Sequence, residues 1–63
     1  MIELTKFDGR KIFVNAELIL SIEEKPDTII TLTTGEIFTV REKAKEIVEK
    51  VIEYKRRVKQ TNI

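Results

Sequence analysis

The side chains that could do chemistry in this 63-residue chain are carboxylates, lysines, threonines, a serine and a tyrosine, since it contains no Cys and no His. Catalysis near neutral pH usually depends on a histidine, an activated nucleophile or a metal ion. Zinc prefers the nitrogen and sulfur ligands that are missing here. Glu23 and Glu24 come nearest to a paired acid, but adjacent residues of a strand face opposite sides. We therefore expect no enzymatic activity, no metal and no cofactor.

The main charge cluster is a basic stretch near the C-terminus, formed by Lys55, Arg56, Arg57 and Lys59. Residues 1–40 carry four basic and seven acidic side chains, whereas residues 41–63 carry eight and four. Such a cluster could bind an acidic protein surface, anionic lipid or RNA, or it could serve only solubility and the helix dipole. Single-stranded RNA binding usually needs aromatic platforms on a sheet, and the chain has only 3 phenylalanines. We take the cluster as a candidate partner-binding patch and do not expect nucleic acid as the main partner.

Apolar and β-branched residues alternate with turn signals in the first two thirds of the chain. Asp8-Gly9, Pro26-Asp27 and Thr34-Gly35 are typical turn pairs. The predicted strands are residues 2–7, 11–15, 18–24, 28–33 and 36–40, and the predicted helix is residues 41–58. We predict an α+β fold: a small five-stranded antiparallel meander, either open or curled into a barrel, followed by one amphipathic C-terminal helix. Residues 1–60 are expected to form a single domain, and residues 61–63 a frayed tail.

The helix prediction depends on an apolar stripe at helical spacing. Its members are Ala44, Ile47, Val51, Tyr54 and Val58. We expect Ile47, Val51 and Tyr54 to face the sheet, because the opposite side of the helix is charged. Thr39 and Glu42 fit a capping box, which would start the helix directly after the last strand.

Strand alternation predicts apolar side chains on both faces of the sheet. Leu18, Leu20 and Ile22 would face the helix, and the opposite face would carry Phe13, Ile19, Ile29 and Ile37. A domain of this size buries only about 60% of the surface that its unfolded chain exposes, and no disulfide can stabilise it. The second apolar face therefore predicts a homo-oligomer built on those residues. The alternative is a curled barrel that buries them internally.

Several segments together resemble one known family. They are the opening residues 1–9 (MIELTKFDG), Asn15, residues 19–23 (ILSIE), residues 26–32 (PDTIITL), Gly35, Val40 and the helix segment 48–56 (VEKVIEYKR). Over nearly its whole length the chain resembles the FlbD family of small flagellar proteins, also called SwrD.

The resemblance implies a non-enzymatic accessory protein that supports motility and the force output of the flagellar motor. The implied partner is a flagellar motor or stator protein, and the implied location is the cytoplasm or the cytoplasmic periphery of the flagellar base. No apolar run reaches the roughly 18 residues of a membrane span. The alternative is a small nucleic-acid-binding regulator of flagellar expression. The salt dependence of binding distinguishes these two functions, because binding driven by phosphate contacts weakens steeply as the salt concentration rises.

Overall fold

The computed structural model describes residues 1–61, with side chains described as far as Val58. The elements in chain order are β1 (Ile2–Thr5), β2 (Lys11–Val14), a 3₁₀ turn (Ala16–Leu18), β3 (Ile19–Glu24), β4 (Thr28–Leu32), β5 (Ile37–Val40) and α1 (Ala44–Thr61). Five antiparallel strands followed by one C-terminal helix confirm the α+β prediction. The helix starts three residues later than predicted and continues to Thr61, while residues 62 and 63 of the predicted tail lie outside the described residues.

The five strands divide between two sheets that are not closed into a barrel. One sheet is β1-β2 and the other is β3-β4-β5. A single antiparallel bridge between Lys6 and Val40 joins them, supported by the Arg41 N–H, which donates to the Thr5 carbonyl at 2.8 Å. The order across the molecule is therefore β2-β1-β5-β4-β3, and β2 and β3 are its two outer strands. The 3₁₀ turn interrupts the meander between them, because the Asn15 side chain accepts the Glu17 N–H at 3.0 Å and tightens the chain there.

The hairpin turns form where the glycines allow them. Gly9 and Gly35 have φ of +93° and +95°, a backbone region in which other residues are strained. Arg41, 34 residues later in the chain, stabilises the first of these turns, since its guanidinium donates to the Phe7 carbonyl from Nη2 at 2.7 Å and from Nε at 3.2 Å. In the same turn the Arg10 backbone N–H and guanidinium donate to Asp8 and hold the pKa of that carboxyl below its ordinary value.

The core lies between the two sheets and the first half of α1. Its buried apolar residues are Ile2, Leu4, Val14, Ala16, Ile30, Leu32, Val40 and Ile47. Ile47 of the helix is fully buried, and Val51 and Tyr54 pack against the core while remaining half-buried. Ile47, Val51 and Tyr54 of the predicted stripe therefore do face the sheets, with the deepest contact at Ile47 near the start of the helix, whereas Val58 is exposed.

A bulge in β3 changes which of its residues point inward. The pairing of β3 with β4 shifts between Ile19 and Ser21, so that Ile19 and Ile22 pack against the core. Leu20 is 67% exposed. The predicted alternation was wrong for Leu20 and Ile19, because an extra residue in one strand exchanges the two faces beyond it.

Candidate functional site

The four residues predicted to form an oligomer face are distributed over both sheets. Phe13 belongs to the first sheet and is 67% exposed, whereas Ile37 belongs to the second sheet and is 64% exposed. Ile29 is half-buried on the outer side of β4. Ile19 packs against the core, so its placement on the outer face is corrected. The largest exposed side chains of this set, Phe13 and Ile37, therefore belong to two sheets that the Lys6–Val40 bridge joins.

An apolar groove opens between β2 and the hairpin that joins β4 to β5. We call it the strand groove; it encloses about 470 Å³ and is lined by Ile12, Phe13, Val14, Leu18, Leu32 and Phe38, with Met1, Lys11, Asn15 and Glu36 completing it. Its wall includes β2, which pairs with β1 alone in the described chain. An outer strand of this kind presents backbone N–H and C=O groups that another chain can pair with. Sequence patterning missed the groove, because it exists only where the meander fails to close.

The predicted basic patch is divided between two sides of the helix. Lys55 and Arg56 are exposed on one side, whereas Arg57 lines a second groove together with acidic residues. Arg56 and Arg57 both contact Glu53, at 3.6 and 3.2 Å; such exposed ion pairs contribute at most about 1 kcal/mol each. The side chain of Lys59, the fourth member of the patch, lies outside the described side chains.

The second groove, which we call the helix groove, runs between β1 and α1. It encloses about 740 Å³ and is lined by Met1, Ile2, Glu3, Glu46, Glu49, Lys50, Glu53, Tyr54 and Arg57. Four carboxylate side chains and two cationic side chains line it, so acidic groups outnumber basic ones there. Within the described residues no group of three or more Asp and Glu side chains is arranged to hold a metal ion.

A polar contact that the sequence did not indicate ties β1 to the segment before the helix. The Thr5 backbone N–H donates to Glu42 Oε1 at 2.9 Å and the Thr5 hydroxyl donates to Glu42 Oε2 at 2.8 Å. Lys11 Nζ donates in turn to the Thr5 hydroxyl at 3.0 Å. Partial burial raises the pKa of Glu42, but the hydrogen bonds from Thr5, together with a backbone hydrogen bond at Glu42 and the charge of Lys50, leave the pKa below its ordinary value.

The start of α1 is capped by residues other than the predicted pair. The Lys43 N–H donates to Glu46 Oε1 at 3.2 Å, which is one half of a capping box. Glu24, at the end of β3, accepts the Ala44 N–H at 2.9 Å. The predicted capping box of Thr39 and Glu42 was wrong, because Thr39 still belongs to β5 and Glu42 is held by Thr5.

The fold and its surfaces define a class of protein: a small α+β domain whose distinctive exposed features are grooves and charged helix sides. No helix in the described part of the chain is long and apolar enough to cross a membrane.

Residues 1–59 match the FlbD family, described as flagellar and swarming motility proteins, and the chain belongs to that family. The expected resemblance is thereby confirmed, and with it a role in flagellar or swarming motility. It is a motility-related accessory family and not a known enzyme family. No curated protein and no solved structure matches the chain.

Proposed function

We propose that this chain is a non-enzymatic flagellar accessory protein that supports motility by binding a motor or stator protein through the strand groove. Membership of a family of flagellar and swarming motility proteins supplies the biological process. The observation that carries the binding proposal is the exposure of apolar side chains around that groove, above all Phe13. The proposal places the chain in the cytoplasm, at the flagellar base.

The groove suits an extended segment of a partner protein. Its lining is mostly apolar, with Ile12, Leu32 and Phe38 half-buried or buried. The adjoining outer edge of β2 offers main-chain hydrogen bonds of the kind that join an added strand to a sheet. Pockets beside such an edge select particular side chains of the added strand, so affinity and specificity would come from different parts of the same surface.

Phe13→Gln tests the groove, with Leu20→Gln as its matched control. Both residues are 67% exposed apolar side chains on strands, but only Phe13 lines the groove. Both variants should remain folded, because neither side chain belongs to the core. In a motile bacterium carrying this chain, we expect Phe13→Gln to reduce swarming and Leu20→Gln to leave it unchanged.

A photo-crosslinking residue at position 13 identifies the contact directly. We expect a motor or stator protein in the crosslinked product, and no such product when the residue is at position 20. Equal motility of both variants, with crosslinking to no flagellar protein, would contradict the proposal. Sub-micromolar RNA binding that weakens steeply with salt would favour the nucleic-acid regulator instead.

The alternative partner for the exposed apolar residues of the strands is a second copy of this chain. We propose that the chain forms a homo-oligomer through Phe13, Ile29 and Ile37, since each large apolar side chain removed from water contributes about 1.5–3 kcal/mol. Light scattering at low micromolar concentration should then give a mass above the 7.4 kDa of one chain, reduced by Ile37→Lys. A single-chain mass that does not change on dilution would exclude it.

A further inference from the structure

The two solvent-facing sides of α1 carry different charges. Its acidic residues Glu46, Glu49 and Glu53 all line the helix groove. The opposite side carries Lys45, Val48, Ile52, Lys55 and Arg56, which we call the basic aliphatic face. Lys45, Val48, Ile52 and Lys55 follow one another at intervals of three or four residues, and Arg56 lies four residues after Ile52, the spacing that makes helical residues neighbours. Among the described helix residues, no carboxylate belongs to this face.

The aliphatic members of this face are exposed although the helix has a core to pack against. Ile47 is fully buried and Val51 and Tyr54 pack on the core, so these residues fix which side of α1 contacts the sheets. Val48 and Ile52, on the adjacent side, are 47% and 51% exposed. An aliphatic pair flanked by cations is the arrangement found in helices that lie at a membrane surface.

The charges on this face are available to a partner. Lys45 and Lys55 are exposed. The Arg56 guanidinium lies 3.6 Å from Glu53, with 65% of its side chain exposed, and an ion pair this open exchanges readily with other partners. Glu24, an acid contributed by β3 near the start of the helix, is engaged as a cap on the Ala44 N–H at 2.9 Å.

We propose that the basic aliphatic face binds the anionic surface of a lipid bilayer. Basic residues on an amphipathic helix are attracted to anionic headgroups, and the aliphatic side chains between them enter the boundary with the acyl chains. Two of the three cations are lysines, a residue depleted in protein–protein interfaces.

The membrane contact of the basic aliphatic face is separate from the protein contact at the strand groove. The expected attachment to the membrane is weak and reversible. Each lysine near an anionic surface raises the binding constant about fivefold, and this attraction falls off within the Debye length. A membrane-attached chain would leave its strand groove, on the sheets, open to a protein partner. Loss of membrane binding and loss of the partner contact can therefore be measured independently.

The test is flotation of the whole protein with vesicles of phosphatidylcholine alone or mixed with phosphatidylglycerol. We expect binding only to the mixed vesicles, weakening as salt rises. Lys45→Gln with Lys55→Gln should lower the binding constant about 25-fold, two fivefold steps. Lys50→Gln with Arg57→Gln removes the same charge from the helix-groove side and should change it much less.

The double variant Val48→Ser, Ile52→Ser should also weaken vesicle binding. Its thermal melt, followed by circular dichroism, should stay close to that of the natural chain, because both side chains are exposed. Phe13→Gln should bind vesicles as the natural chain does, which separates this proposal from the groove contact. Absence of flotation with phosphatidylglycerol would overturn the proposal. Equal losses of vesicle binding in the Lys45/Lys55 and Lys50/Arg57 double variants would overturn it as well. The attraction would then depend on the net charge of the protein and not on this face. Capture of an acidic protein by the face, without vesicle binding, would likewise refute it.

Discussion

Glu42 joins the first strand to the last segment before the helix, and removing its carboxylate should measurably destabilise the fold. Both Glu42 oxygens accept hydrogen bonds from Thr5, a residue 37 positions earlier in the chain. Hydrogen bonds to charged groups contribute about 1.5–3 kcal/mol each. The pair is only partly buried, so solvent screening reduces the contribution. For Glu42→Ala we expect a loss of about 2–3 kcal/mol at pH 7, from both bonds together.

Thermal melts followed by circular dichroism measure this loss. In a domain of this size, 1 kcal/mol shifts Tm by about 4–8 °C, so Glu42→Ala should lower Tm by about 10–20 °C. Glu49→Gln is the matched control, because it removes one negative charge from an exposed helix position. We expect that variant to melt within a few degrees of the natural chain.

The same contact predicts how stability depends on pH. The pKa of Glu42 lies below its ordinary value of 4.5 in the folded chain. The folded state therefore favours the charged carboxylate, and this stabilisation is present above the unfolded pKa and is lost as the pH falls through the lowered folded value. The Tm difference between the natural chain and Glu42→Ala should shrink between pH 7 and pH 3.

Two results would contradict this account of Glu42. A Tm difference that stays constant over that pH range would show that the charged form makes no special contribution. A Glu42→Ala melt equal to that of Glu49→Gln would show that the Thr5 contact does not stabilise the fold. Thr5→Val combined with Glu42→Ala completes a double-mutant cycle, and its coupling energy isolates the contribution of the pair.

Three further variants test how the helix and the first turn are held. Ile47→Ala should cost about 2–5 kcal/mol in urea unfolding, because it empties a fully buried site; a loss below 1 kcal/mol would contradict the packing of α1. Glu24→Ala should cost about 1 kcal/mol by removing the cap on the Ala44 N–H, and an unchanged melt would show that water replaces the cap. Gly9→Ala should lower Tm because φ is +93° there, whereas an equal or higher Tm would mean that the turn relaxes at no cost.

Local sequence patterns were sufficient to predict the elements. The period of two in the first two thirds of the chain and the helical spacing from Ala44 to Val58 identify five strands and one helix, because each pattern reports which side of a short segment is apolar. The turns at Gly9 and Gly35 follow equally from local chemistry, since glycine alone adopts a positive φ without strain. The burial of Ile47 also follows from its place in the stripe.

Tertiary structure decided which side chains meet across the fold. The bulge in β3 sends Leu20 outward and Ile19 inward, and nothing within β3 marks the residue at which the register shifts. Glu42 binds Thr5 and not the nearby Thr39, and Glu24 caps a helix that begins 20 residues later. The strand groove exists because the meander does not close between β2 and β3. Local patterns describe the surroundings of a residue within a few positions of itself, whereas hydrogen-bond partners and grooves are determined by how distant segments pack.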